Sequence, residues 1–330
     1  MKSSFGRLVL AALILLLPAS SVASTFSLDA PVLGYVFDPE TGELRRMDGF
    51  PGASSLSAPI DLGFPIMQAV LAPDQKSAIV QDDQGRTLWV NLAVTPPSAS
   101  ALEGAMAADR AMFSPSGRRA ALYSSATGRL QLLEVLDGGP QLSDEVNSLE
   151  SIGGWKGFAL SDSGTVLAAS MGEAGGALYM LKPDQMPQRV GGIESLGGLA
   201  FFSGSDNAVA ADAGANEVLL LRADSGWWHA SSVATVNDFI ENPFAVQVTA
   251  DGRFVAAAVA GGVASVPLGG GVAQFTACAC APRALAPLAG GSTFLLTDDT
   301  SSPLKVVEVD DHSRVLFVPA IPQEIEEISQ

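Results

Sequence analysis

FALSDSGTVLAAS, residues 158–170, reads as two short apolar strands joined by a tight turn, and the same unit recurs along the chain. Copies stand at 69–81 (AVLAPDQKSAIVQ), 111–124 (AMFSPSGRRAALYS), 199–212 (LAFFSGSDNAVAAD), 245–259 (AVQVTADGRFVAAAV) and 285–298 (LAPLAGGSTFLLTD). Aligned on Pro73, Pro115, Asp162, Gly204, Ala250 and Gly290, the turns are 42, 47, 42, 46 and 40 residues apart. A four-stranded sheet repeated radially takes about 40–50 residues, so each copy is predicted to open one such sheet. Helical repeats share this period. The residues exclude them, because every segment has strand length and is broken by Gly, Pro, Asp or Ser before an apolar stripe can build up.

Each hairpin is followed by a small-residue or acidic loop and a third strand: TLWVNL (87–92), RLQLLEV (129–135), ALYMLK (177–182), EVLLLR (217–222), VASVPL (263–268) and LKVVEVD (304–310). More polar stretches then supply fourth, outer strands. Strands packed on both faces read as continuous small apolar runs, and a strand that meets water does not. The expected fold is therefore all-β, a propeller of seven four-stranded blades within residues 25–320. The seventh blade is expected to combine the N-terminal hairpin LGYVFDPETGELRRM (33–47) with the terminal strand RVLFVPA (314–320), leaving no open edge. If RVLFVPA instead completes the sixth copy, six blades plus an added hairpin remain as the alternative.

Turns at 114–117, 161–164 and 250–252, with the acidic Asn-containing loop 212–217 in VAADAGANEVLLL, resemble those of the YVTN, NHL and WD40-like propeller repeats. The resemblance spans nearly the whole chain after its first 24 residues and operates at the level of fold. It implies a binding platform or, in some members, a lactonase, without choosing between them.

The N-terminus carries Lys2 and Arg7, an apolar run from Leu8 to Pro18, and small residues through Ser20, Ser21, Ala23 and Ser24. This layout is that of a secretory signal peptide, residues 1–24, whose apolar run is too short to span a bilayer. A secreted or periplasmic protein with no membrane span after cleavage is expected. The whole chain has 18 basic and 35 acidic residues and a net charge of −17; removing the leader leaves 16 against 35, or −19. Such a charge repels nucleic acid and anionic membranes, and excludes nucleic acid as a partner. The expected state is a soluble monomer with a short acidic tail at 321–330.

The catalytic inventory is thin. His229 and His312 stand in no ligand spacing, and neither a G-x-S-x-G elbow nor a phosphate-cradling loop is present. Cys278 and Cys280, in TACACAP, would project to the same face of a strand; a disulfide in a bent segment, two free thiols, and a metal or redox site all stay open. Loops between second and third strands share a face with the connections between blades. They carry Asp82, Asp83, Glu173, Asp212, Asn216, Asp298 and Asp299, carboxylates that could hold calcium if they converge and otherwise solvate turns. Trp227 and Trp228 are adjacent, so alternation sends one ring inward and the other outward, where it serves either in blade-to-blade packing or as an anchor for a protein or glycan partner. The first expectation is a non-catalytic binding or scaffold module presenting an acidic loop face to a protein or other ligand, with no cofactor beyond calcium. The alternative is a lactonase-like or other hydrolase using carboxylates at the channel mouth.

Overall fold

In the computed structural model, residues 30–136, 139–146, 153–224, 226–282 and 284–320 are described. The expected leader at 1–24 and tail at 321–330 lie outside them. The first sheet holds β1 (Val32–Asp38), β2 (Glu43–Phe50) and β3 (Ala53–Pro59). The second has β4 (Ile66–Leu71), β5 (Ser77–Asp82), β6 (Thr87–Asn91) and β7 (Ser98–Ala101), and the third β8 (Arg110–Phe113), β9 (Arg119–Ser124), β10 (Arg129–Leu136) and β11 (Gly139–Val146). The fourth comprises β12 (Trp155–Leu160), β13 (Val166–Gly172), β14 (Gly175–Leu181) and β15 (Gln188–Ile193). The fifth comprises β16 (Leu196–Phe201), β17 (Ala208–Asp212), β18 (Glu217–Asp224) and β19 (Trp227–Ala234). The sixth has β20 (Ala245–Val248), β21 (Phe254–Val259), β22 (Gly262–Pro267) and β23 (Gln274–Ala277), and the seventh β24 (Ala286–Pro287), β25 (Thr293–Leu295), β26 (Leu304–Glu308) and β27 (Arg314–Val318). Every ladder is antiparallel between sequence neighbours, which keeps each connection short.

Seven hydrophobic clusters hold these seven sheets in a ring, one cluster between each adjacent pair. The second strands explain how the sheets approach so closely. AVAAD of β17 and FVAAAV of β21 are buried at every position, and their Ala side chains leave room for Leu and Val from the neighbouring sheet. Outer strands show the opposite character: SASA of β7 is exposed throughout.

Closure of the ring differs from the expected pairing of the two chain ends. RVLFVPA does complete the sixth copy, with β27 pairing to β26 through Lys305↔Phe317 and Val307↔Val315. The short turn at 309–313 makes that local hairpin entropically cheaper than pairing with the distant N-terminus. The ring nevertheless has seven blades, because the hairpin at 33–47 supplies the second and third strands of a sheet of its own. Among the described residues this first sheet has no inner strand.

Neighbouring blades occupy the seam instead. Ala289 N–H of the seventh sheet donates to Leu33 O at 2.9 Å. Gln75, in the turn between β4 and β5, takes Tyr35 N–H on its Oε1 at 2.9 Å. Its Nε2 donates to Ala72 O at 3.1 Å and to Pro287 O at 2.7 Å, so one buried amide ties the second, first and seventh sheets. Leu33, Val36 and Met47 then pack against Leu288, Leu295, Leu304, Val306 and Val318.

Candidate functional site

The repeated turn builds more than the blade. The six turns between first and second strands lie at one end of the ring, and several are hydrogen-bonded to the turn of the next blade. Asp162, in the turn between β12 and β13, accepts Ser116 N–H at 2.9 Å and Ser116 Oγ–H at 2.6 Å from the preceding blade. It also accepts Gly204 N–H at 2.8 Å from the next blade. Burial pushes this carboxyl up, but the bonds from Gly204 and Ser116 outweigh it and hold Asp162 below the usual range. Ser163 Oγ donates to Asp206 at 2.5 Å, and Ala250 N–H donates to Gly291 O at 2.7 Å.

Inside this collar is an axial cavity of about 520 Å3. Val70, Met112, Phe158, Leu199 and Val248, from five inner strands, give it an apolar wall, and Gln247 adds an amide. Pro73, Pro115, Ser203, Ala250 and Gly290 lie at its turn end, together with Asp74, the one ionisable side chain among the lining residues. The volume and lining match a seat for a small apolar group. Reasoning from sequence used these turns to set the repeat length and to place the resemblance to propeller repeats, not to locate a cavity. Their common position in every copy, at the mouth of a wheel, was the signal that could have located the cavity.

On the opposite, connection face, the acidic loops serve mainly to fold themselves. Asp82 is buried, accepts the N–H groups of Gln84 at 3.0 Å and Arg86 at 2.8 Å, and pairs with Arg86 Nε at 2.6 Å. Burial pushes its carboxyl up, and the bonds from Arg86 and Gln84 outweigh this and bring it below the usual range. Asp212 is equally buried and accepts four backbone N–H groups, from Glu194 (2.7 Å), Ser195 (2.9 Å), Gly214 (3.0 Å) and Ala215 (3.2 Å). Asn216, at φ 56°, accepts Asn242 N–H at 2.7 Å and fastens the connection to the sixth blade. Asp299 accepts Ser301 N–H and Oγ–H, which hold it below the usual range, while Asp298 is half-buried beside it. Asp83 and Glu173 stand exposed on separate blades. Among the described residues, no three His, Cys, Asp or Glu side chains group closely enough to hold a metal ion.

The remaining candidates are also placed. Alternation along β19 leaves Trp227 69 % exposed, whereas Trp228 packs against the cluster between the fourth and fifth sheets. His229 is exposed on the same strand, and His312 is exposed in the turn before β27. Cys278 and Cys280 form a disulfide; the chain has left the β23 ladder there and bends at Ala279, whose φ is 47°. One surface feature was absent from the sequence reading. Phe239, exposed and at φ 66°, lies with its ring centroid 6.0 Å from that of exposed Phe275, near exposed Val236 and Glu241.

No protein-family model matches the chain, and no curated protein matches it. Solved structures do. A functionally unknown protein from Desulfotomaculum acetoxidans superposes with a TM-score of 0.60 at 14% identity, covering 88% of this chain and 100% of its own. A Bacteroides fragilis protein provisionally named a 6-phosphogluconolactonase gives 0.56 at 12%, covering 88% and 95%. Virginiamycin B lyase from Staphylococcus aureus gives 0.51 at 10%, covering 78% and 84%. At such identities the likeness is one of fold: the chain is a seven-bladed β-propeller resembling other propeller-repeat proteins.

Proposed function

We propose that this propeller is an exported, non-catalytic binding module that seats an apolar group of its ligand in the axial cavity. The cavity itself carries the reading: its wall is apolar, its volume suits a small molecule, and Asp74 alone among its lining residues can titrate. General acid–base catalysis works through a positioned titratable side chain, and Asp74 is the one such side chain lining the cavity. The net charge of −17 favours neutral or cationic ligands over anions. Export rests on the leader-like first 24 residues. The test uses a neutral apolar fluorophore, N-phenyl-1-naphthylamine. Saturable enhancement is expected with the native chain, and at least about tenfold weaker binding with Leu199→Trp, which fills the seat. Equal binding by both proteins would rule the cavity out.

The Phe239–Phe275 pair favours a second reading, docking of a protein to the acidic connection face. Large apolar side chains exposed together and flanked by carboxylates such as Glu241 suit a partner that offers an aliphatic group beside Lys or Arg. A Phe239→Ser/Phe275→Ser double variant is expected to keep the native far-ultraviolet spectrum and to lose a partner cross-linked to the native chain in the exported fraction. A partner captured equally by both would sink this reading.

A further inference from the structure

The bond between Cys278 and Cys280 does little for the fold. A crosslink stabilises by closing a loop in the unfolded chain, and its effect shrinks as the loop shortens. Here the cysteines are two positions apart, the smallest loop but one. Ala279, enclosed by that ring, stands at φ 47°, a left-handed conformation that an alanine adopts at a cost. Yet the structure is prepared for the opened state. Cys278 sits in the apolar cluster between the sixth and seventh sheets, among Val263, Leu285 and Phe294, where a neutral thiol packs as a small hydrophobe. Its Sγ lies 3.4 Å from Cys280 O, an acceptor for the proton that reduction would place there. Cys278 N–H is held by Gly261 O at 3.0 Å, so this half of the pair is anchored by the sheet rather than by the crosslink. Cys280 is half-buried between exposed Ala279 and Ala281.

We propose that Cys278–Cys280 is a thiol–disulfide exchange site that accepts two electrons from a dithiol. A dithiol thiolate attacks Cys280 Sγ; a new S–S bond forms, the Cys278–Cys280 bond breaks, and Cys278 takes up a proton. The second thiol of the same molecule, as thiolate, attacks its own sulfur in the mixed disulfide. Cys280 leaves and is protonated, the dithiol departs oxidised, and the protein holds two thiols. No other oxidant enters.

The folded, oxidised chain is mixed with dithiothreitol in one arm and with a reduced two-cysteine peptide in another, then quenched with acid and weighed by mass spectrometry. Two protein thiols are expected to appear for each disulfide formed, with the near-ultraviolet spectrum retained. Exchange with dithiothreitol alone identifies a small-molecule dithiol as the substrate source, and exchange with both admits protein dithiols. The Ala279→Gly variant removes the cost of the left-handed residue. It is expected to make the disulfide about five- to tenfold harder to reduce at equilibrium, with the urea midpoint of the reduced protein changed little. Thiols that appear only when the chain unfolds, or an equilibrium indifferent to Ala279→Gly, would overturn the proposal.

Discussion

Replacing Gln75 with Leu is expected to destabilise the propeller by about 3–5 kcal/mol, read as a lower urea midpoint at unchanged slope. The amide is 6 % exposed and makes three bonds, to Tyr35 N–H, Ala72 O and Pro287 O. Leu fills the volume but leaves the buried Tyr35 donor and the partly buried Pro287 acceptor without their Gln75 partner, which costs up to about 1–3 kcal/mol for each group. Gln75→Glu should fall between, since Oε1 can still accept from Tyr35 while nothing donates to Pro287. The adjacent, exposed Lys76 gives the control: Lys76→Ala should shift stability by no more than about 0.5 kcal/mol. Gly34 tests the same seam by crowding, because a β-carbon there would stand 2.6 Å from Leu288 Cδ2 and 2.9 Å from Gln75 Oε1. A midpoint for Gln75→Leu equal to that of Lys76→Ala would show that other contacts close the ring.

The blades were legible because one physical pattern repeats six times: a small-residue strand buried on both faces needs Ala and Val, and the turn before it needs Gly, Asp, Ser or Pro. The seam was not legible, because its key residue lies inside a copy of that pattern. Gln75 sits in APDQKS, where a polar turn residue normally faces water, but here it meets Tyr35 N–H and Pro287 O beside a first sheet that has no inner strand among the described residues. The second-to-third-strand loops held a clearer signal than was drawn from them. Asp38, Asp82 and Asp212 each stand five positions before the next strand, at Glu43, Thr87 and Glu217, with Gly42, Gly85 and Asn216 at positive φ between. That spacing identifies 33–47 as a second and third strand, and it marks the Asp as a cap for its own loop. Reading those carboxylates as ligand candidates rested on their charge. Their burial beneath backbone N–H groups is a tertiary fact that no single loop displays.

Asp38 carries the second large effect, at the opposite end of the same seam. It is 1 % exposed; its Oδ2 accepts Thr300 N–H at 3.0 Å and Thr300 Oγ–H at 2.7 Å from the seventh blade, and its Oδ1 accepts Glu40 N–H at 2.9 Å. Burial pushes this carboxyl up, but the bonds from Thr300 and Glu40 outweigh it and leave it below its ordinary value. A carboxyl whose pKa is lower folded than unfolded contributes stability above the unfolded value, about 3.9, and loses it as pH falls through the folded value. Asp38→Ala is therefore expected to cost about 3–5 kcal/mol at pH 7, where the lost acceptor was charged, and less at each step of acidification below about pH 4. Thr300→Ala removes only the hydroxyl donor and should cost about 1 kcal/mol. Urea titrations at pH 7, 5 and 3 decide the matter. A gap between the native chain and Asp38→Ala that stays constant or widens in acid would mean that Asp38 holds the seam by its shape and not by its charge.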